Sequence, residues 1–562
     1  MATSPALGVV YTPPDAARAM VRVALEPLLC GRSSAELLEL NICDPAIGEG
    51  AFLLEVVGVL ADALETAWRA ERVVGLDGRR AATRCIAGVD VDARAVAVAR
   101  AALGCDERTL RVADALELDW RAAFPDVFAR GGFDAIVGNP PYVRQERLLA
   151  SKPALRRYAS YHGVADLYVY FLELAHQIAR PGGRYCLITP NKWLTAAYAR
   201  ALRGFLSRAG SVEGVIDLGR LAIFPDADAF PCIAWGTVGE PSRAPIRAAR
   251  VAHGSVAEAL AGGAPHPRER WRAAPWHIDA PADRALIDRL EHAWPALGDV
   301  VTARPARGVV TGCNRAFVLD RAARDRLVAE DPGVVDLIRP FVKGRDIKRW
   351  HADPIERWIL LIDRGTSIAG RDALSAHLSR FRHELEPRPT SHRGSWHGRK
   401  PGAYRWYELQ DPVGALASSR GPRLLYQDIQ TGPACTLDRS GEVVPDTTVW
   451  ILPSQDRFLL AVLNSSLYGW YARRRFPPAL NGAVRPKLEY LRALPIATPA
   501  SDARARIERL VDQRLASDPR DLELDAAIDD AVLDAYDLAT YERALIRTDA
   551  TPRIRFDGKH TS

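Results

Sequence analysis

Four strand-like runs early in the chain, mostly apolar, each close on a residue able to grip a polar ligand, and this repetition constrains the fold more than any other feature. Leu40–Cys43 stops at Asp44, Thr109–Ala113 at Asp114, and Phe133–Gly138 at Asn139, while Ala87–Val91 carries Asp90 near its end. Each run has the length and residue types of a buried strand. Helical spacing fills the intervals, over 52–67 and over the Ala-rich stretch 92–103. A helix is expected over Asp15–Leu29, just after Pro13-Pro14, another over Leu167–Ala179, and a strand over Arg184–Thr189. Strands alternating with helices imply a parallel sheet covered on both faces. In such sheets ligands sit beyond the carboxyl ends of the strands. Coincidence at four successive strand ends is much rarer than any single false match.

Each strand end has a ligand reading and a plain one. Asp44-Pro45-Ala46-Ile47-Gly48-Glu49-Gly50-Ala51-Phe52 holds two glycines that let the backbone approach a ligand closely. It has neither the spacing of a dinucleotide fingerprint nor the Gly-Lys-Ser/Thr of a phosphate loop. Its acid suits a cationic or amine-bearing ligand; the plain reading is a tight strand-to-helix turn. Asp90 can accept both hydroxyls of a ribose with Val91 flat against a purine, while Asp92 also reads as a helix N-cap. Asp114 can accept from an amino group or stand as a surface aspartate. Asn139-Pro140-Pro141-Tyr142 sets an amide oxygen and a prolyl carbonyl beside an aromatic face on a backbone stiffened by two prolines. That suits a planar group bearing an amine; an ordinary strand-to-loop turn is the alternative.

The chain of 562 residues is too long for one ordinary domain, and its 48% hydrophobic and 26% charged content is that of a globular protein. Met1–Pro14 has no basic start and no apolar core, so no export signal is expected. No apolar stretch reaches the ~20 residues that span a bilayer. The eight cysteines are scattered without a Cys-x-x-Cys pair, which speaks against a zinc site or a disulfide framework and fits a reducing cytoplasm. Charge is uneven. Residues 1–245 are net −1, residues 246–500 net +11 and residues 501–562 net −4. A basic middle third fits a polyanion partner, though a solvated basic surface explains it equally. Loop signals at Gly239-Glu240-Pro241 and 262–265 mark a change of texture. Three parts are expected: 1–245, 246–500, and a strongly helical tail over 501–562 broken at Asp518-Pro519.

In motif order the chain resembles the gamma-class S-adenosylmethionine-dependent DNA adenine-N6 methyltransferases, the TaqI-methylase type of restriction–modification systems. The resemblance runs over nearly its whole length. Val10-Tyr11-Thr12-Pro13-Pro14 matches the first family motif, where the Thr binds the methionine carboxylate. Asp44, Ala46, Gly48 and Gly50 fall in the glycine motif, Asp90 and Val91 at the ribose and adenine, and Asp114 at the adenine amine. Asn139, Pro140, Pro141 and Tyr142 match the catalytic turn, 166–173 the following helix, and 188–193 the strand after it. Gly219 to Pro225 matches the segment whose Phe packs on a flipped base, which makes Phe224 the stacking ring, with Phe230 as the second candidate. In the second half, 308–317, 338–347, 463–466 and 494–496 resemble elements of the target-recognition region.

The resemblance implies a Rossmann-like class I α/β domain with a mostly parallel seven-stranded sheet, a mixed α+β target-recognition domain, and the helical tail. It implies S-adenosylmethionine as cofactor, duplex DNA as partner, a separate cognate endonuclease as a candidate partner, and neither a metal nor a membrane. DNA contacts are expected at Lys343, Arg345, Lys348, Arg399, Lys400 and Lys487, among further arginines at 339, 349, 393, 405, 473–475 and 485. Two rivals stand beside this reading: methylation of another planar amine, in RNA or on a protein glutamine, and the methylase half of a bifunctional restriction enzyme. The family motifs begin near residue 8, so a nuclease ahead of them is not expected.

Overall fold

The computed structural model describes residues 12–148, 152–209, 211–219, 230–239, 242–251, 254–413, 421–479 and 482–548. The chain forms two compact units, Met1–Pro281 and Ala282–Ser562.

In the first unit the apolar runs are strands: β1 (Ile42–Asp44), β2 (Ile86–Asp90), β3 (Leu110–Val112) and β4 (Phe133–Gly138). Then come β5 (Ala179–Pro190), β6 (Val212–Asp217), β7 (Pro231–Thr237), β8 (Ile246–Arg250) and β9 (Ala264–His266). They form one nine-stranded sheet in the order β3-β2-β1-β4-β5-β7-β6-β8-β9. Strands β1 to β5 pair parallel, and β7 runs antiparallel to both its neighbours. The sheet therefore has nine strands where seven were expected, with β8 pairing to β6 and β9 to β8.

Side chains alternate between the two faces with period two, as a pleated strand requires. Ile42, Ile86, Ala135 and Val137 join one core with the helices Pro14–Leu29 and Ala51–Glu71. Cys43, Ala87, Phe133 and Ile136 join the other with the helix Tyr168–Ile178. Parallel pairing opposes Asp44 to Gly88 and Asp90 to Val112, so the acidic strand ends are stepped two residues at a time along one edge.

The first unit extends past the expected boundary at 245. Strands β8 and β9 belong to its sheet, and Trp271 and Trp276 are buried in its second core, with Trp276 5.4 Å from Trp193. Of the stretches that read as linker or loop, 262–263 join the helix Val256–Ala261 to β9, Ala264 and Pro265 lie in β9 itself, and 240–241 lie outside the described residues.

The second unit is mixed α+β, as expected. Its strands are β10 (Ala306–Arg307), β11 (Val318–Asp320), β12 (Ile338–Val342), β13 (Arg357–Leu360), β14 (Arg423–Gln427), β15 (Cys435–Asp438), β16 (Val444–Pro445) and β17 (Val449–Leu452). They form two four-stranded sheets, β10-β17-β14-β15 and β11-β13-β12-β16. The helices expected after 500 are present over Ser501–Ala516, Leu522–Ala535 and Thr540–Thr548. They are not an appendage. Ile507, Val511, Ile528, Val532, Tyr536 and Ile546 share one core with the helices Arg457–Leu463 and Ser466–Arg475. Polar anchors repeat the message: Asp529 accepts from Ser466 N at 2.6 Å, and Asp525 holds Arg514 at 2.6 Å and Arg349 at 3.0 Å.

Replacing Asp525 by Ala leaves the buried Arg514 guanidinium without its carboxylate. Urea unfolding should show a loss of about 3–5 kcal/mol, the usual cost of stripping one partner from a buried ion pair. A loss below about 1 kcal/mol would mean that the tail helices are held by apolar packing alone.

Candidate active site

The carboxyl edge of the first sheet gathers every described strand-end residue singled out from the sequence. Asp44 is 1% exposed. Its Oδ1 accepts from Ala46 N at 2.9 Å and lies 2.5 Å from where a Cβ on Gly138 would stand. Glycine at the end of β4 is therefore a condition for an acid at the end of β1. Burial pushes the Asp44 carboxyl up to about 8, and the Asp90 charge adds to the rise. The group is poised to regain its charge beside a cation.

The loop after β1 is tied to the end of β2. Gly48 N donates to Asp90 Oδ2 at 2.9 Å, Asp92 N to Asp90 Oδ1 at 2.9 Å, and Ile47 N to Val89 O at 3.1 Å. The Ile47 γ2 methyl sits 2.2 Å from where a Cβ on Gly88 would be, so Gly88 makes room for that side chain. Gly50 has φ +93° and opens the helix Ala51–Glu71. Asp92 is the helix N-cap of the plain reading, accepting from Arg94 N at 2.9 Å. Val91 is 55% exposed at the rim, an apolar face open to a flat partner. Asp114 is exposed after β3 and accepts from Leu116 N at 2.9 Å.

The Asn139 turn follows β4. Asn139 Nδ2 donates to the Oγ1 of buried Thr12 at 3.1 Å, which links the cofactor threonine of the resemblance to the catalytic turn. Tyr142 meets Tyr168 edge-on at 6.4 Å, and burial holds its phenol well above its ordinary value. Asp166 fastens the segment behind the turn, accepting from Gln145 N at 3.1 Å, while Leu167 N donates to Val143 O at 3.0 Å. Phe224 lies outside the described residues. Phe230 is half-buried, and its carbonyl accepts from Asn191 N at 2.7 Å. Because β7 runs antiparallel to β5, Phe230 enters it at the same edge.

Sequence reasoning missed Asp217 at the end of β6. It accepts from Asn191 Nδ2 at 2.9 Å, Gly219 N at 3.1 Å and Arg250 Nε at 3.0 Å. Its signal was available, a further acid closing a further strand.

In the second unit the expected DNA contacts divide. Arg345, Lys348, Lys400 and Lys487 are exposed and Lys343 half-exposed. Arg399 is a correction. It is 4% exposed and donates to the carbonyls of Leu385, Thr311, Glu408 and Trp406, so it fastens a loop and offers nothing to a phosphate. Arg349, Arg474, Arg475 and Arg485 are paired with Asp525, Asp283, Glu291 and Asp428.

The strand order with antiparallel β7, and the acids stepped along one edge, are those of a class I methyltransferase fold. Comparison with known proteins agrees. Residues 84–224 match the Eco57I restriction-modification methylase family, and residues 339–496 match the TaqI-like C-terminal specificity domain. The chain has the domain make-up of a restriction–modification methylase. It is 28% identical to the Type II methyltransferase M.PaeR7I of Pseudomonas aeruginosa, over 82% of this chain and 81% of that protein. A stretch covering 25% of the chain is 33% identical to a release factor glutamine methyltransferase of Cereibacter sphaeroides, over 47% of that protein. Among solved structures, the Type IIL restriction-modification enzyme MmeI in complex with DNA superposes with a TM-score of 0.61 at 14% identity, over 94% of this chain and 75% of that one. That likeness shows a shared fold.

The residues at the edge fit S-adenosylmethionine. A buried acid faces a cationic ligand's needs, the Asp90 carboxylate is held in place by two backbone N–H groups, and Val91 offers an apolar face. A cation beside Asp44 favours the charged carboxylate and draws its pKa down. Binding at pH 7 should therefore release up to about one proton, measured by calorimetry in buffers of different ionisation enthalpy. The Asp44→Asn variant should release none from this source.

The same group sets a pH trend in stability. An unfolded aspartate titrates near 3.9, and the folded one is raised to about 8. Its favourable contribution is full below about pH 4 and fades as pH rises through about 8. Relative to the parent, Asp44→Asn should gain stability over that window in chemical denaturation. A constant difference would assign the burial cost to another group.

Proposed function

We propose that this protein transfers a methyl group from S-adenosylmethionine to N6 of an adenine flipped out of duplex DNA, as the modification enzyme of a restriction–modification system. The observation that carries this reading is the Asn139 carboxamide, held through its nitrogen by Thr12 at the edge where Asp44 and Asp90 stand. The acceptor end of that amide is its oxygen.

An amine inside the base stack is out of reach, so the base must leave it at a cost of a few kcal/mol. Tyr142, and Phe224 or Phe230, are the rings offered to offset that cost by stacking. The N6 lone pair of adenine is delocalised into the ring. Asn139 Oδ1 and the Pro140 carbonyl each accept one N6 hydrogen and draw the nitrogen toward tetrahedral geometry, which localises the lone pair. Preorganised acceptors also stabilise the positive charge that develops on nitrogen. S-adenosylmethionine supplies the electrophilic methyl when bound. Thr12, Asp44, Ala46, Gly48, Gly50, Asp90, Val91 and Asp114 are assigned to holding it. The TaqI-like specificity region and the basic 246–500 segment support duplex DNA as substrate. The 33% identity to a glutamine methyltransferase favours the second reading, a planar amide on a protein, because the same two acceptors suit either group. Duplex DNA is preferred because the specificity region lies outside that match.

Asn139→Ala should lower methyl transfer by about 10²–10³, the scale of losing one preorganised transition-state partner, with S-adenosylmethionine binding nearly intact. The check is a tritium-transfer assay on genomic DNA from a host without adenine methylation, followed by single-molecule mapping of modified bases. Near-parental turnover in the variant would defeat the assignment.

A further inference from the structure

Strands β14 and β15 are joined by a loop with an unusual alternation of exposure. Ile429 is 51% exposed, while Asp428 and Gln430 on either side are 3% and 2% exposed. Both neighbours are anchored through backbone and side chain. Asp428 N donates to Thr448 O at 2.8 Å, and Gln430 exchanges two backbone bonds with Val484, at 2.9 and 2.8 Å. Gln430 Oε1 accepts from Tyr468 OH at 2.9 Å. The Asp428 carboxylate accepts from Trp450 Nε1 at 2.9 Å and gathers two cations from distant parts of the unit. Arg485 donates to it directly, and Arg307 lies 3.8 Å away. Both arginines stay accessible, at 36% and 49%. Arg307 is further fixed by donating to Thr447 O at 2.7 Å. Lys487, exposed, donates its backbone N–H to Arg485 O at 2.8 Å.

An aliphatic side chain held out in water gains free energy only when something apolar covers it. Two guanidinium groups gathered by a single buried carboxylate leave one positive charge over, on groups whose planar forks match phosphate oxygens. An apolar prong next to preset guanidinium groups matches a DNA groove, where base edges such as the thymine methyl lie beside phosphates.

We propose that the Asp428–Gln430 turn is a sequence-reading element for duplex DNA, with Ile429 against a base edge and Arg307 and Arg485, positioned by Asp428, on adjoining phosphates. This rests on the DNA reading above.

The test uses the full-length protein expressed in a host without adenine methylation, with modified bases mapped across the genome. Purified enzyme is then assayed on the mapped site and on duplexes changed at one base pair each. Ile429→Ala should lose about tenfold of its discrimination at a single position, as expected for one apolar base contact. Cofactor binding should be unchanged, and Ile429→Val should retain most of the preference. Ile429 is exposed, so the fold should tolerate both changes. Arg485→Gln should keep the consensus while the slope of log binding constant against log salt falls by about one unit. An Ile429→Ala consensus and discrimination equal to the parent's at every position would overturn the reading role. An unchanged salt slope in Arg485→Gln would overturn the phosphate role. A parental enzyme that modifies RNA or protein but leaves DNA untouched would remove the DNA reading itself, an outcome distinct from either failure.

Discussion

The Asp44 carboxylate occupies the space that any side chain on Gly138 would need. Much of the first unit follows from this contact. It requires β1 and β4 to be neighbours in parallel register, as the pairing of Cys43 with Ile136 provides. It also delivers the Asn139 turn to the acid's side at once, since Asn139 is the next residue. The cost is a carboxyl buried among apolar strands, shown by its rise to about 8. A stable fold with no ligand to hold would have little reason to keep an acid there.

From that contact a chain of hydrogen bonds runs along the sheet edge. Backbone groups of 47 and 48 reach the end of β2, and Ala113 N at the end of β3 donates to Asp90 O at 2.9 Å. On the other side Asn139 reaches Thr12. Three loops and the stretch ahead of the first helix are thereby organised as one surface. Groups that would grip a cofactor and groups that would hold a substrate amine share the same scaffold, so displacing either set disturbs the other.

The strand ends were legible because their signals are local. Each strand is a short, mostly apolar run, and the turn that follows marks its end to within a residue. The Asp44–Gly138 contact was not legible, since it joins residues 94 positions apart. Arg399 read as a phosphate contact because exposure cannot be inferred from charge. Its guanidinium satisfies the carbonyls of Thr311, Leu385, Trp406 and Glu408, which no spacing rule anticipates. The segment 246–281 goes to the second part on sequence because Gly and Pro near 240 and 262 suggest a boundary, and the same residues occur in connections inside a single sheet. The helices after 500 were read correctly as helices, yet their place in the second unit's core depends on partners such as Tyr468 and Trp470, far away in sequence.

Arginine pairing in the second unit changes what its positive charge means. Asp525, Asp428, Asp283 and Glu291 each sit against guanidinium groups that a count of basic residues treats as available. The protein thus carries part of its own counterion atmosphere as fixed side chains. A polyanion approaching this unit must compete with those carboxylates for the arginines. Mobile salt is released only by the positive charge that these carboxylates leave over, so loose, nonspecific attachment is weaker than the residue count suggests.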